Sequence, residues 1–222
     1  MPFSDMGASS KLIDLRQLLA ERFPQTLPPA ATPRFPTGIP SLDDSIGGGL
    51  PKHAITELSA PRLSAGSALL IHVLLQTAHE NGIFLALIDG RDSFDPHTSN
   101  RFVLPNLLWL RCHQAGEAIQ AADFLLRDGN FPLVVLDLVL NGSEELRKIP
   151  QSHWYRLQRL VEAAPTAFLV LTRRSMIGSA QLKVSLENAW RLEDLENENV
   201  TDGLRVQINR VHGAREILAR AG

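Results

Sequence analysis

Arg173 and Arg174 stand side by side, followed by Ser175-Met176-Ile177-Gly178-Ser179 and, soon after, by Lys183. Adjacent guanidinium groups beside a glycine suit the oxygens of a phosphate backbone. The same pattern also serves as a solvated turn. A second cationic stretch lies at the C-terminal end, where Arg205, Arg210, Arg215 and Arg220 meet only Asp202 and Glu216. That excess is modest for nucleic acid, and a partner-docking segment or a plain charged edge and tail fits it equally. Seven histidines are scattered at positions 53, 72, 79, 97, 113, 153 and 212. His72 and His79 fall on one helical stretch but seven residues apart. Helical metal pairs sit four apart, and no cysteine or carboxylate joins these two, so they read as ordinary core or surface histidines. The lone cysteine, Cys112, can form neither an intrachain disulfide nor a zinc site. Ser143-Glu144-Glu145 reads as a helix start with acids in its first turn. Neither G-x-S-x-G nor a metalloprotease motif occurs.

The elements that carry these residues are legible in the hydrophobic pattern. Short apolar runs at Ala54–Ser59, Ile83–Asp89, Leu107–Arg111, Leu133–Leu138 and Ala167–Thr172 read as strands. Helices are expected between them at Ser64–Glu80, Ser93–Phe102, Ala115–Arg127 and Ser143–Ala163, the last broken around Pro150. Continuous apolar strands alternating with helices indicate a mainly parallel sheet covered on both faces. Ser185–Leu192 and Gly203–Val211 read as two more strands, joined by an acidic loop. With no helix between them they form an antiparallel hairpin at the sheet edge.

Ahead of this core, Leu12, Leu15, Leu19 and Phe23 recur at helical spacing. A proline-rich stretch follows, PQTLPPAATPRFP, which reads as an extended tether because proline fixes φ and removes a donor. The expected division is a helical arm at 1–23, a linker at 24–36, an α/β core at 37–211 and a tail at 212–222. The chain has 222 residues, 44% of them hydrophobic and 21% charged, and a formal charge of −2. That balance suits a globular domain and argues against a free-standing, non-specific DNA binder. No apolar run is long enough for a bilayer and no secretory start is visible, so a soluble cytoplasmic protein is expected, with no membrane contact.

Three stretches carry a family resemblance: TGIPSLDDSIGGGLPKHAITEL at 37–58, LIDGRDSFDP at 87–96 and FPLVVLDL at 131–138. In this order they resemble the bacterial recombinase RecA, and within that superfamily the ImuA-like accessory proteins of damage-induced mutagenesis. The resemblance covers roughly residues 37–211. It implies a RecA-like core of the P-loop type, and the chain ends without the separate C-terminal domain of that family. It also implies a phosphate loop after the first core strand, G-x-x-x-x-G-K-[ST], in which lysine reaches the β- and γ-phosphates and the hydroxyl holds Mg²⁺. The aligned residues are Ala60-Pro61-Arg62-Leu63-Ser64-Ala65-Gly66-Ser67. Ala60 and Ala65 replace the glycines, Gly66 replaces the lysine, and Ser67 alone keeps its type. Arg62 is the only cation in the segment, an anion contact or a solvated loop residue.

The position of the family's catalytic glutamate is Arg91, which cannot act as a general base at neutral pH. Asp92, beside it, is the nearest substitute. Asp137 matches the Walker B aspartate, and also suits a plain strand exit. These losses imply no ATP hydrolysis and no bound cofactor or metal. By resemblance, Arg173, Arg174 and Lys183 mark the place of a DNA-contacting loop, here shorter and lacking the family's coupling glutamine, which is replaced by Arg173. A weak DNA contact there is one reading.

The implied function is that of a non-catalytic adaptor in the DNA damage response, linking RecA to a Y-family error-prone polymerase. In RecA an N-terminal helix packs on the neighbouring subunit, so Leu12, Leu15, Leu19 and Phe23 are expected to bury against a partner or against the chain's own body. Arg205, Arg210 and Arg215 are the other candidate docking residues. A SulA-type division inhibitor is the alternative from another class, although such chains are shorter and lack so full an entry motif. A divergent ATP-binding or single-stranded-DNA-binding RecA paralogue completes the alternatives.

Overall fold

The computed structural model describes residues 33–63, 65–188 and 204–211. The helical arm with Leu12, Leu15, Leu19 and Phe23, and the tail with Arg215, lie outside the described residues. So does most of the acidic loop between the last two strands.

The described chain opens with a short antiparallel pair, β1 (Arg34–Phe35) and β2 (Leu50–Pro51). Residues 33–36, read from sequence as the end of the linker, thus belong to the packed body, and Phe35 is buried in the core. Helix α1 (Pro40–Ile46) lies between these strands and buries Leu42 and Ile46. The T-G-x-x-x-L-D signature has a structural explanation here. The Asp43 carboxylate accepts from the Thr37 backbone N–H at 3.0 Å and from its hydroxyl at 2.8 Å. Arg34 donates to the carbonyls of Ile46 and Gly49, closing the open C-terminal end of α1. Gly49 has a φ of +124°, and a Cβ there would press into the Phe35 backbone. Only glycine lets β2 approach β1 at this turn.

The main sheet has seven strands in the order β5-β4-β6-β7-β3-β8-β9. They are β3 (Ala54–Ser59), β4 (Leu85–Asp89), β5 (Leu107–Arg111), β6 (Leu133–Asp137), β7 (Ala167–Thr172), β8 (Leu182–Leu186) and β9 (Val206–Val211). Every neighbouring pair from β5 to β8 is parallel, and β8 pairs with β9 antiparallel. The mainly parallel α/β sheet with an antiparallel edge hairpin is therefore present.

The alternation within each strand sends its side chains to two cores. Leu85, Leu87, Leu133, Val135, Leu169 and Leu171 pack on one face, under α2 (Ser67–Glu80) and α1. Ala86, Ile88, Val134, Leu136, Phe168 and Val170 pack on the other, under α3 (Ala115–Asp128) and α5 (Gln151–Ala163). The short α4 (Ser143–Arg147) precedes α5, and the break between them falls at Lys148–Pro150 as expected. Among the described residues no helix is long and apolar enough to cross a membrane.

Three expected elements differ. The helix expected from Ser64 begins at Ser67, preceded by Gly66 in the left-handed conformation. The helix expected at Ser93–Phe102 is reduced to one 3₁₀ turn, Pro96–Thr98, and a second, Leu104–Asn106, follows beyond it. Prolines 96 and 105 start these turns, and the Asp95 side chain caps the first by accepting from His97 N–H. The first hairpin strand starts at Leu182, three residues before the expected Ser185. It is shifted because Leu182–Ser185 pair with β3, a partner that local pattern does not reveal.

Candidate functional site

In a parallel sheet the loops at the C-terminal strand ends share one edge, where ligands of such sheets bind. Chain segments leave the sheet there after each parallel strand, among them the connection after β3, residues 90–94 after β4, 138–142 after β6 and 173–175 after β7. Two of them are joined to the rim by backbone bonds, Ala60 N–H to Thr172 O at 2.7 Å and Leu138 N–H to Leu171 O at 2.9 Å.

The β3–α2 loop carries the aligned phosphate-loop residues. Ala60 and Ala65 are fully buried in the core, and Ser67 is buried at the first turn of α2. Gly66 precedes the helix with a φ of +100°, in the left-handed region. Leu63 projects outward with 61% of its surface exposed, and Arg62 is exposed beside it. The loop contains no lysine.

The β4 loop is organised by an acid. Asp89 is buried, and its carboxylate accepts from the backbone N–H of Ser93 and of Phe94, both at 2.7 Å. It also accepts from the N–H of Arg91 at 3.2 Å. Arg91 reaches sideways and donates to the His113 carbonyl at 2.9 Å. Asp92, the nearest substitute for a general base, is tied to Arg111 at 2.5 Å. That guanidinium also lies 5.0 Å from the centre of the Trp109 ring, at cation–π distance. The hydrogen bond from Arg111 holds the Asp92 carboxyl below the usual carboxylate range. An acid so paired is a poor proton acceptor.

Asp137 ends β6 directly across from Asp89. Burial pushes its carboxyl up to about 6. The Val139 N–H, donating at 2.9 Å, works against that rise, and the nearby Asp89 charge adds to it. The loops after β4 and β6 are locked together. Gly90 N–H donates to Asp137 O, and Asn141 Nδ2 donates to Gly90 O, both at 2.9 Å.

The β7–β8 connection holds the residues suggested for nucleic acid. It must cross β3, because β7 and β8 flank that strand and both run parallel to it. Arg173 and Arg174 are exposed at the rim. Lys183 reaches the same loop, its Nζ donating to Ser175 Oγ at 2.9 Å, next to Arg174. It lies within β8 and pairs with Glu57 at 3.0 Å, with its side chain 15% exposed. Glu57 is 1% exposed and also accepts from Ser175 Oγ at 2.8 Å, Met176 N–H at 2.6 Å and Ile177 N–H at 3.0 Å. A buried carboxylate with four donors is a structural clamp on the crossover. Sequence reasoning missed Glu57 and Asp89. The signal was present, since each is the lone acid of a buried strand, and such an acid needs partners.

Arg205 is exposed next to β9, where its backbone N–H donates to Asn188 Oδ1. Arg210 falls in β9 at the far end of the hairpin, paired with Lys183. The two therefore lie at opposite ends of the β8–β9 pair. His72 bridges Thr98 Oγ1 and Ser99 Oγ, while His79 meets Asn106 Oδ1, so the two histidines serve different loops. Among the described residues no three His, Cys, Asp or Glu side chains group to hold a metal.

The model of the RecA N-terminal domain matches residues 30–149. The chain belongs to the RecA N-terminal domain family. RecA of Chlorobium chlorochromatii (strain CaD3) is 34% identical over 106 residues, 46% of this chain and 30% of that protein. RecA of Clavibacter michiganensis subsp. michiganensis (strain NCPPB 382) is 34% identical over 108 residues, 47% and 30%. RecA of Dichelobacter nodosus (strain VCS1703A) is 35% identical over 106 residues, 46% and 30%. The match spans under a third of the length of these curated RecA proteins. The matched span carries β3 to β6 of the main sheet, and β7 to β9 lie beyond it.

Proposed function

We propose that this RecA-family chain is a non-catalytic accessory protein of the DNA damage response, of the ImuA-like kind. It would link RecA to an error-prone Y-family polymerase. The observation that carries the reading is the rim of the sheet. The loop between β3 and α2 has no lysine to meet a triphosphate, and Gly66 stands where that lysine belongs. Losing it removes the principal positive charge opposing the β- and γ-phosphates. Ala60 and Ala65, buried in the hydrophobic core, stand where the family's loop has glycines.

The second element is independent of the first. Arg91 occupies the position of the water-activating glutamate, and its guanidinium is engaged by the His113 carbonyl. Asp92 is engaged by Arg111. A RecA-family core without hydrolytic groups retains its shape and surfaces, and those are what an adaptor uses.

The test uses the full chain with Mg²⁺-ATP, and then with purified RecA and a purified Y-family polymerase. The expected result is no phosphate release above buffer, together with co-purification of both proteins. ATP hydrolysis abolished by Asp137→Asn, or failure to retain either protein, overturns the reading.

A further inference from the structure

The same rim that lacks nucleotide-binding groups has a defined chemistry of its own. Neighbouring strands are about 4.8 Å apart, so the loops after β6, β7 and β3 lie side by side in that order. Leu140 is exposed after β6, Arg173 and Arg174 are exposed after β7, and Arg62 and Leu63 are exposed after β3. Among the described residues no carboxylate pairs with any of these three arginines. The acids nearby are occupied: Asp89 by the backbone of its own loop, Glu57 by Lys183, Asp92 by Arg111 and Glu144 by Arg147. Glu145 accepts from the Ala115 N–H and from Asn141 Nδ2. Asp137 lies between β4 and β7 in the sheet, while Glu144 and Glu187 are exposed, and Glu187 lines a groove with Arg62 at the margin of the rim. The N-terminus of α2 opens on the same rim and adds a partial positive charge.

We infer that this rim, bounded by Leu140 and Leu63 with Arg173, Arg174 and Arg62 between, docks an acidic, leucine-bearing segment of a partner protein. The inference rests on the adaptor reading and names the surface that reading would use. Charge complementarity selects an anionic occupant. The two exposed leucines select a protein segment over nucleic acid. Single-stranded nucleic acid is held by aromatic platforms on which bases stack, and the rim's exposed apolar residues are both aliphatic. An acidic peptide with aliphatic side chains satisfies both features at once.

The test is fluorescence anisotropy with the full chain and a twelve-residue probe peptide of alternating glutamate and leucine. Two further probes are the same peptide with serine for leucine and a twelve-nucleotide single strand. The glutamate–leucine peptide is expected to bind, with affinity falling as salt is raised. Arg173→Ala/Arg174→Ala is expected to weaken it about tenfold, the scale of losing two charged contacts. Leu63→Ser weakens it independently of salt, and Arg159→Ala, exposed on α5, leaves it unchanged. Because all four side chains are exposed, these variants keep the fold.

No binding, equal binding of the serine peptide, or preference for the oligonucleotide overturns the inference, the last assigning the rim to nucleic acid. Failure here with RecA and the polymerase still retained moves the docking surface elsewhere and leaves the adaptor reading standing. Peptide binding without retention of those proteins removes the adaptor reading and leaves the rim.

Discussion

At the scale of single residues, the buried Glu57 and the partly buried Asp137 set the chemistry of the sheet. Glu57 and Lys183 form a pair shielded from water, and three further donors share the carboxylate. Lys183→Met leaves that charge without its cation. Breaking a buried pair usually costs about 3–5 kcal/mol, and the remaining donors should reduce this to about 2 kcal/mol. Urea unfolding would show it as a lower midpoint with an unchanged slope, and adding Glu57→Gln should recover part of the loss. Asp137 gives a pH signature. Its carboxyl moves from an ordinary 3.8 to about 6 in the folded protein. The native state therefore binds more protons than the unfolded chain between those values, and stability falls as pH rises through that window. Asp137→Asn keeps the acceptor for Val139 N–H and removes the charge. It should be neutral below pH 4 and stabilising by about 2 kcal/mol above pH 6. A variant equally stable at both ends of that range would show that the carboxyl titrates normally.

At the scale of elements, loop geometry rests on a few close approaches. Gly90 is the clearest, because a Cβ there would lie 2.5 Å from Asn141 Oδ1 and 2.7 Å from Asp137 O. The second contact is backbone and cannot swing away. Gly90→Ala should cost about 2 kcal/mol through displaced strand ends, within the usual range for a strained special position. Gly116→Ala, on α3 with open space around it, should be neutral or slightly stabilising. Thermal melts of the two variants separate these outcomes. The G-x-D loop after β4 is thus held by fit and by Asp89, which is why Arg91 and Asp92 point to β5 and not across the rim.

At the scale of the whole molecule, one sheet divides the described core into two apolar layers. Phe168 and Leu169 are neighbours on β7, yet they face opposite layers. Phe168→Ala should cost about 3–5 kcal/mol and Leu169→Ala about 2–5 kcal/mol. Because the strand is shared, each should lower a single cooperative transition, with near- and far-UV circular dichroism moving together. Separate transitions for the two signals would show that the layers unfold independently.

The amino-acid pattern alone determined the strands of the main sheet, because β3 to β7 are short apolar runs whose period and flanking turns are local properties. It also determined the α/β class and the antiparallel edge, since two strands with no intervening helix have room only for a hairpin. The missing lysine before Ser67 and the arginine at position 91 are legible without coordinates. Tertiary structure decided the rest. Leu182 joins β8 because β3 offers it a ladder, and no local propensity encodes a partner 126 residues away at the Gln181–Ile55 contact. Ser93–Phe102 loses its helix to the Asp95 cap and Pro96. Lys183 stays beside the Arg173–Ser175 loop, as its spacing suggests, but the strand pairing of β8 also sets it on the buried Glu57, which spacing does not reveal. Sequence spacing places charges along the chain, whereas burial and pairing depend on which strands the chain brings together.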